Sequence, residues 1–347
     1  MATQQVTFVK QKIIQYIYDH KLKYGRRLPS QKSFCTSLNV GSATVSTALK
    51  ELSNEGILKI HDKVGVTILR PNTDGHIGRY IGITPPPLIT SLYNCCLLHL
   101  LQQYLLARGC QPVIFYCLDL PEIDGFQLET FPGLKRNLEQ HALDAVFDLA
   151  GLSAEVQEFA NKANTLICKI GFFPSCEMNY VNYDMAEYIT GAVTRLRAKG
   201  CSRLGLLVSD TSTVNCLQLE SLQSITMISG IKTVPDGIRW IHEALESGMI
   251  NNFDGLICFD DMVTLAVASE LVRSTSKCKS SPWLVTSGNQ QIPLVYPLKQ
   301  TIVCMNDLDI IAKNAVDSLL SALQSDHLEP IKKTLPFQWK DYSTKSF

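Results

Sequence analysis

The chain has 347 residues, 46% of them apolar and 18% charged, with 32 basic side chains balanced by 32 acidic ones. That length exceeds a single small core and predicts two or three folding units, and the composition excludes long disorder. The neutral total hides an asymmetry: residues 1–72 hold 11 Lys/Arg against 4 Asp/Glu, a net +7, and the other 275 residues hold 21 against 28, a net −7.

A basic head on an acidic body predicts contact with a polyanion, the alternative being a solvated basic face with no partner. Apolar residues Phe8, Ile13, Ile14, Ile17 and Tyr18 recur at helical spacing, which predicts a helix over Thr7–Lys21 that Gly25 brings to a stop. Ser30 after Leu28-Pro29 is the expected N-cap of a second helix, Gln31–Leu38. Asn39-Val40-Gly41 is a tight turn, and Ser42 is the expected cap of a third helix ending at Asn54, with Val45, Leu49 and Leu52 on one face. Gly56 takes the left-handed position after that helix. Ile57–Ile60 and Val64–Leu69 follow as two strands of a hairpin with His61-Asp62-Lys63 between them and Gly65 just past the turn. Helix, helix, turn, helix and hairpin is the plan of a winged helix-turn-helix.

Arg70–Arg79, with Pro, Asn, Asp and Gly and no apolar periodicity, reads as a linker. Beyond it the pattern is α/β. Apolar strands at Tyr80–Thr84, Pro112–Tyr116, Ala145–Leu149, Leu166–Ile170, Arg203–Val208, Gly255–Phe259 and Trp283–Thr286 alternate with amphipathic helices at Leu92–Arg108, Leu134–His141, Glu155–Lys162, Met185–Lys199, Ile238–Ser247 and Val263–Ser274. Continuous apolar strands between amphipathic helices predict parallel sheets covered on both faces, and this stretch is long enough for two lobes. The expected domains are a winged helix-turn-helix over 1–70, a linker over 71–79, and a two-lobed parallel-sheet body over 80–347.

No apolar run reaches the roughly 18–20 residues that span a bilayer, and Met1–Lys10 lacks the apolar core of a signal peptide, so a cytoplasmic protein without a membrane partner is expected. The 12 Cys contain no C-x-x-C pair and no Cys/His zinc spacing; Cys110, Cys168, Cys258 and Cys304 sit in apolar runs as small hydrophobes. No metal, cofactor or catalytic residues are expected, because G-x-S-x-G, phosphate-loop, dinucleotide and H-E-x-x-H motifs are all missing.

Residues 7–69 resemble the GntR-type winged-helix domain through Leu28-Pro29-Ser30, Leu38-Asn39-Val40, Thr44-Val45, Ala48-Leu49, Leu52, Gly56-Ile57-Leu58 and Gly65. Residues 80–330 resemble the effector domain of the lactose-repressor (LacI) family, a periplasmic-binding-protein-like fold. The matching pieces are Tyr80-Ile81-Gly82-Ile83, Leu143-Asp144-Ala145-Val146, Asp184 followed by Lys199–Gly205, Phe253–Asp261, Pro297-Leu298 with Thr301-Ile302-Val303, and Ala315-Val316 with Leu319-Leu320. Such a fusion is known among sugar-responsive bacterial repressors.

The resemblance implies a homodimer that binds double-stranded operator DNA, with Ser42–Asn54 as the recognition helix. Ser42, Thr44, Ser46, Thr47 and Lys50 would face bases and phosphates; Ser30, Arg26, Arg27 and Lys32 would reach phosphates; His61, Lys63 and Gly65 would form the wing tip. The family pattern has Glu-Arg where this chain has Gln31-Lys32, and Arg at the positions of Ser42 and Ser46, so readout weighted toward phosphates and hydroxyls is expected. The resemblance also implies a sugar-like effector held between two lobes by Thr90, Tyr93, Phe172, Asp184, Asp260 and Asn289, with helix caps and core packing as the plainer roles for these residues. The segment Ser209–Gly237 lacks the family's ligand-gripping Arg and is shortened, Leu217–Ile228 reading as a truncated helix. A constitutive DNA-binding dimer with a vestigial sensor is therefore the alternative to a ligand-gated repressor.

Overall fold

The computed structural model describes residues 2–20, 22, 25–61, 64–69, 79–86, 92–117, 126–173, 178–209, 220–274, 281–324 and 330–341. Lys63, Thr90 and linker residues 70–78 lie outside the described residues. The chain divides into two compact units. One comprises Met1–Pro87, Gln102–Cys168 and Val316–Pro330; the other comprises Leu88–Leu101, Lys169–Ala315 and Ile331–Phe347.

The basic head lies in the first unit. Its elements are α1 (Ala2–Asp19), α2 (Gln31–Leu38), α3 (Ser42–Asn54) and the antiparallel pair β1 (Leu58–His61) and β2 (Gly65–Ile68). Val9, Ile13 and Ile17 of α1 share a core with Phe34, Val45, Leu49, Leu52, Leu58 and Ile68. The expected buried face of α1 is shifted, because Phe8 is 45% exposed and Val9 fills the place assigned to it. Ser30 caps α2 by accepting from the Ser33 amide at 3.2 Å, and Asn39 ends that helix in the left-handed conformation. The cap expected at Ser42 is corrected: the N-cap of α3 is Gly41, which offers no side chain, and Ser42 is the first helical residue. Gly56, at φ +73°, is the left-handed residue after α3.

The body holds two six-stranded sheets. The first is built from β3 (Tyr80–Thr84), β4 (Gln111–Ile114), β5 (Ala145–Asp148), β6 (Leu166–Phe173), β7 (Tyr180–Asp184) and β13 (Lys332–Leu335), in the order β13-β7-β6-β5-β3-β4. The second is built from β8 (Leu204–Leu207), β9 (Ile225–Ile228), β10 (Gly255–Cys258), β11 (Trp283–Asn289), β12 (Thr301–Asn306) and β14 (Gln338–Asp341), in the order β14-β12-β11-β10-β8-β9. The inner strands are buried along their length, as strands covered on both faces must be. Pairing is parallel in β3–β4, β3–β5, β6–β7, β8–β9, β8–β10, β10–β11 and β11–β12, while β14 runs antiparallel to β12. In both sheets the strand that comes first in the chain lies between the second and the third. In doubly wound sheets such a reversal is where ligands bind, outside the carboxyl ends of the strands.

The covering helices are α4 (Leu92–Ala107), α5 (Pro132–Glu139), α6 (Ala154–Lys162), α7 (Met185–Ala198), α8 (Val234–Glu246), α9 (Asp261–Arg273) and α10 (Leu308–Gln324). A capping box of Thr233 and Asp236, with Pro235 in the first turn, starts α8 ahead of the expected Ile238. The helix expected over Leu217–Ile228 is overturned in its described part, residues 220–228: Glu220–Ser224 is a short 3₁₀ turn and Ile225–Ile228 is strand β9, while 217–219 lie outside the described residues. Two β-branched Ile and a Thr in four residues favour the extended chain once a neighbouring strand is there to pair. Cys110, Cys168, Cys258 and Cys304 are buried and outside any disulfide, whereas Cys95 is exposed. Among the described residues no helix is long and apolar enough to cross a membrane.

Candidate nucleic-acid and ligand sites

In the head, core packing consumes one face of α3 and leaves the other outward. Val45, Ala48, Leu49 and Leu52 are buried; Ser42, Thr47 and Lys50 are exposed; Thr44 and Ser46 are half-buried. The first-turn amides of a helix have no intrahelical acceptor and can receive an anion. Gln31 Nε2 donates to the Ser42 carbonyl at 2.8 Å and to its Oγ at 3.0 Å, tying the start of α2 to the start of α3. This is the bond that occupies Ser42 in place of capping. Thr47 Oγ1 donates to the Ala43 carbonyl at 3.0 Å, which leaves its methyl group for an apolar contact.

The hairpin has a third edge that the sequence did not announce. Leu28 N donates to Val66 O at 2.9 Å, Ile68 N to Arg26 O at 2.9 Å and Gly25 N to Ile68 O at 2.8 Å. Gly25–Leu28 thus runs beside β2, with Arg27 bridged to Thr67, and carries exposed Arg26 and Arg27 on the wing. His61 bonds Thr67 Oγ1 at 2.9 Å, and Gly65 has φ +117°, a conformation side chains avoid. Lys59 is a further exposed base on β1.

The described acids of the head, Asp19, Glu51 and Glu55, are already spoken for. Lys10 contacts Glu51 at 3.1 Å and bonds Glu55, and Gln15 donates to Asp19 at 2.7 Å. Burial lowers the Lys10 pKa, but its bonds to the two carboxylates outweigh that and raise it. Arg26, Arg27, Lys32, Lys50 and Lys59 have no carboxylate partner among the described residues. Five unpaired cations therefore share a small domain with the open end of α3 and with Ser30.

The second cluster lies at the carboxyl ends of the second sheet. Asp260 caps α9 by accepting from the Val263 amide at 2.8 Å. Asp261, 3% exposed, accepts from Asn289 Nδ2 at 3.0 Å. Asn289, 3% exposed, faces Asn306, 1% exposed, across the β11–β12 register. The Asn289 Oδ1 and both the Oδ1 and Nδ2 of Asn306 are buried without a hydrogen-bond partner. Buried amides are almost always satisfied, so three orphaned atoms side by side mark a place for something else to bond. Burial raises the Asp260 pKa, and burial together with the Asp260 charge pushes Asp261 up to about 6. Neither carboxylate has an ion-pair partner among the described residues.

The other expected ligand residues are placed less uniformly. Asp184 caps α7, accepting from the Ala186 amide at 2.7 Å. Phe172 lies inside β6 rather than after it, because that strand runs on to Phe173, and its ring packs with Tyr188, Phe259 and Phe337. Tyr93, in the first turn of α4, has a buried hydroxyl with no hydrogen-bond partner, and burial raises its pKa far above the ordinary value. Asn306 was not among the expected ligand residues. Its signal was a lone amide closing the apolar run Thr301–Met305.

Residues 5–68 match the family model described as bacterial regulatory proteins, gntR family. The match spans the head from α1 to the end of β2. No curated protein matches the chain. Solved structures resemble it over most of its length. The transcription regulator CcpA of Lactococcus lactis aligns with a TM-score of 0.62 at 14% identity, covering 77% of this chain and 99% of that one. The Cra transcriptional dual regulator from Pseudomonas putida, in complex with fructose 1-phosphate, gives 0.61 at 18% identity over 76% and 98%. The Lac repressor bound to ONPG gives 0.64 at 14% identity over 87% and 90%. At these identities the likeness is one of fold: a head that matches the gntR-family model is joined to a body folded like those of these regulators.

Proposed function

We propose that the chain is a dimeric transcriptional repressor whose gntR-family head (1–70) binds operator DNA and whose body (80–347) pairs two copies and binds a small effector. The observation that carries the DNA reading is that the head presents the open amino end of α3 together with exposed Arg26, Arg27, Lys32, Lys50 and Lys59, none of them neutralised by a described carboxylate. The half-buried and exposed hydroxyls of Ser42, Thr44, Ser46 and Thr47 suit hydrogen bonds to bases and phosphates. A symmetric pair of heads calls for a palindromic operator.

The test is selection of bound duplexes from a random pool, followed by affinity measured against salt. Each neutralised phosphate contributes about −0.9 to the slope of log affinity on log salt, so a steep negative slope is expected. Lys32→Ala should weaken all duplexes alike and make that slope shallower by about 1. A slope near zero would end the reading.

The orphaned amides of Asn289 and Asn306 favour a ligand-gated regulator over a constitutive one, since a vestigial pocket has no reason to keep them unbonded. Asp260 and Asp261 give that end of the sheet negative charge, which favours a neutral polyol such as a saccharide over its phosphate ester. A thermal-shift panel of neutral saccharides and their phosphates separates the two. A ligand present at 100 times its Kd stabilises by about 2.7 kcal/mol, and the gain is expected from a member of the neutral set.

A further inference from the structure

Arg79 is a buried arginine, 7% exposed, whose main chain belongs to one part of the molecule and whose side chain reaches another. Its carbonyl accepts from the Gln111 amide at 2.7 Å, anchoring it at the start of the β3–β4 pair. Its guanidinium turns back to the head: Nε donates to the Asn54 carbonyl at 3.1 Å and an Nη donates to the Leu323 carbonyl at 3.2 Å. Asn54 is the last residue of α3, and Leu323 is the last but one of α10. One planar fork is therefore held between the carboxyl ends of two helices, where unsatisfied carbonyls concentrate negative charge and a cation is stabilised.

The end of α3 was built to receive it. Glu55 N bonds Glu51 O, Ile57 N bonds Leu52 O and Gly56 N bonds Ser53 O, so the Asn54 carbonyl is the member of the last turn left for Arg79. Gly56 completes the joint. A Cβ there would stand 2.5 Å from Asp144 Oδ1 and 2.9 Å from the Arg79 side chain, and Asp144 is itself fixed by the Tyr80 amide at 2.8 Å. Nothing larger than hydrogen fits between the turn after α3 and the loop before β5.

We propose that Arg79 is a latch that locks the DNA-reading helix to the body, so that α3 keeps one orientation against the first sheet instead of moving as an independent bead. The latch grips the carboxyl end of α3 and leaves its amino end, the end proposed to enter the groove, open. In a dimer it would hold the two heads at one spacing, a consequence that rests on the proposed DNA-binding function; the latch itself does not.

The experiment compares the full-length wild type with Arg79→Met, which keeps most of the buried stem and removes the donors, and with Arg79→Lys, which keeps the charge but gathers its donors on one nitrogen in place of the planar fork. Calorimetric unfolding and amide hydrogen exchange are read in the absence of DNA. In the wild type the head and the first unit should unfold in one transition. In Arg79→Met the head should melt earlier and separately, and the Glu55, Gly56 and Ile57 amides should exchange at least tenfold faster, while those of β5 are unchanged. Arg79→Lys should fall between, and it carries the test if Arg79→Met does not fold. An unaltered single transition with unaltered exchange in the variants would overturn the latch, as would a wild-type head that already melts on its own. Failure of the wild type to bind any duplex at low salt would remove the regulator reading and leave the latch standing.

Discussion

The two body sheets are wound in the same strand order, yet the polar groups at their carboxyl ends are finished differently. Near the ends of the first sheet, Asp148 accepts from the amides of Gly151 at 2.8 Å and Leu152 at 2.9 Å. Asn182 donates to Phe173 O at 2.9 Å and accepts from Thr334 at 2.9 Å. At the ends of the second sheet, Asn289 keeps one amide atom unbonded and Asn306 keeps two. A shared fold therefore sets where polar residues gather, and the local chain decides whether they close on themselves. A closed set stabilises, whereas an open set carries a standing energetic cost that a bound partner would relieve.

The sharpest break of that comparison is a pair of substitutions. Asp148→Leu leaves two amides without acceptors inside the protein, each costing about 1–3 kcal/mol, and should lower the urea-derived stability by roughly 3 kcal/mol or more. Asn306→Leu removes two buried atoms that had no partner, and should leave stability unchanged or raise it by about 1 kcal/mol or more while abolishing any ligand-induced thermal shift. Equal losses from the two would erase the distinction between the sheets.

A second effect is electrostatic. Burial and the neighbouring Asp260 hold the Asp261 pKa at about 6, above the 3.8 of a free aspartate. The native state thus keeps this proton at a pH where the unfolded chain has lost it, and ionising Asp261 costs native stability. That contribution is absent below about pH 4 and is complete above about pH 6, amounting to roughly 3 kcal/mol at most at 1.36 kcal/mol per unit. Asp261→Asn should flatten the fall in stability across that window relative to wild type, as chemical unfolding at several pH values would reveal. A parallel pair of curves would mean that the carboxylate is not strained. The smallest expected effect is on the satisfied side. Thr334→Val deletes one hydroxyl from the Asn182 pair at the first sheet's edge and should cost about 1 kcal/mol by the same unfolding assay.

Much of the head was legible because its signals are short-range. Ser30 before a helix, Asn39 and Gly56 in left-handed positions and the apolar stripe of α3 act within a few residues of themselves. The wing's third edge was not legible, since Gly25–Leu28 becomes a strand only by pairing with Val66 and Ile68 some forty residues away. Ser42 looked like a cap, but Gln31, eleven residues earlier, competes for its oxygen. In the body the apolar strands announced themselves, whereas β9 is specified by its β8 neighbour more than by its own pattern. Asp260 and Asn289 were named through the resemblance, and the structure places both at the carboxyl ends of the second sheet. Asn306 escaped because a single amide among buried apolar residues becomes meaningful only when its missing hydrogen bonds can be counted.

The bonds that Arg79 makes to the ends of α3 and α10 fall on main-chain oxygens. Every residue type supplies that oxygen, so the outward side chains of α3 can be exchanged without disturbing the joint. If the proposed operator binding and latch hold, variation in what α3 reads and in how the head is attached are thereby separated in sequence space: a descendant of this chain could change the one and inherit the other.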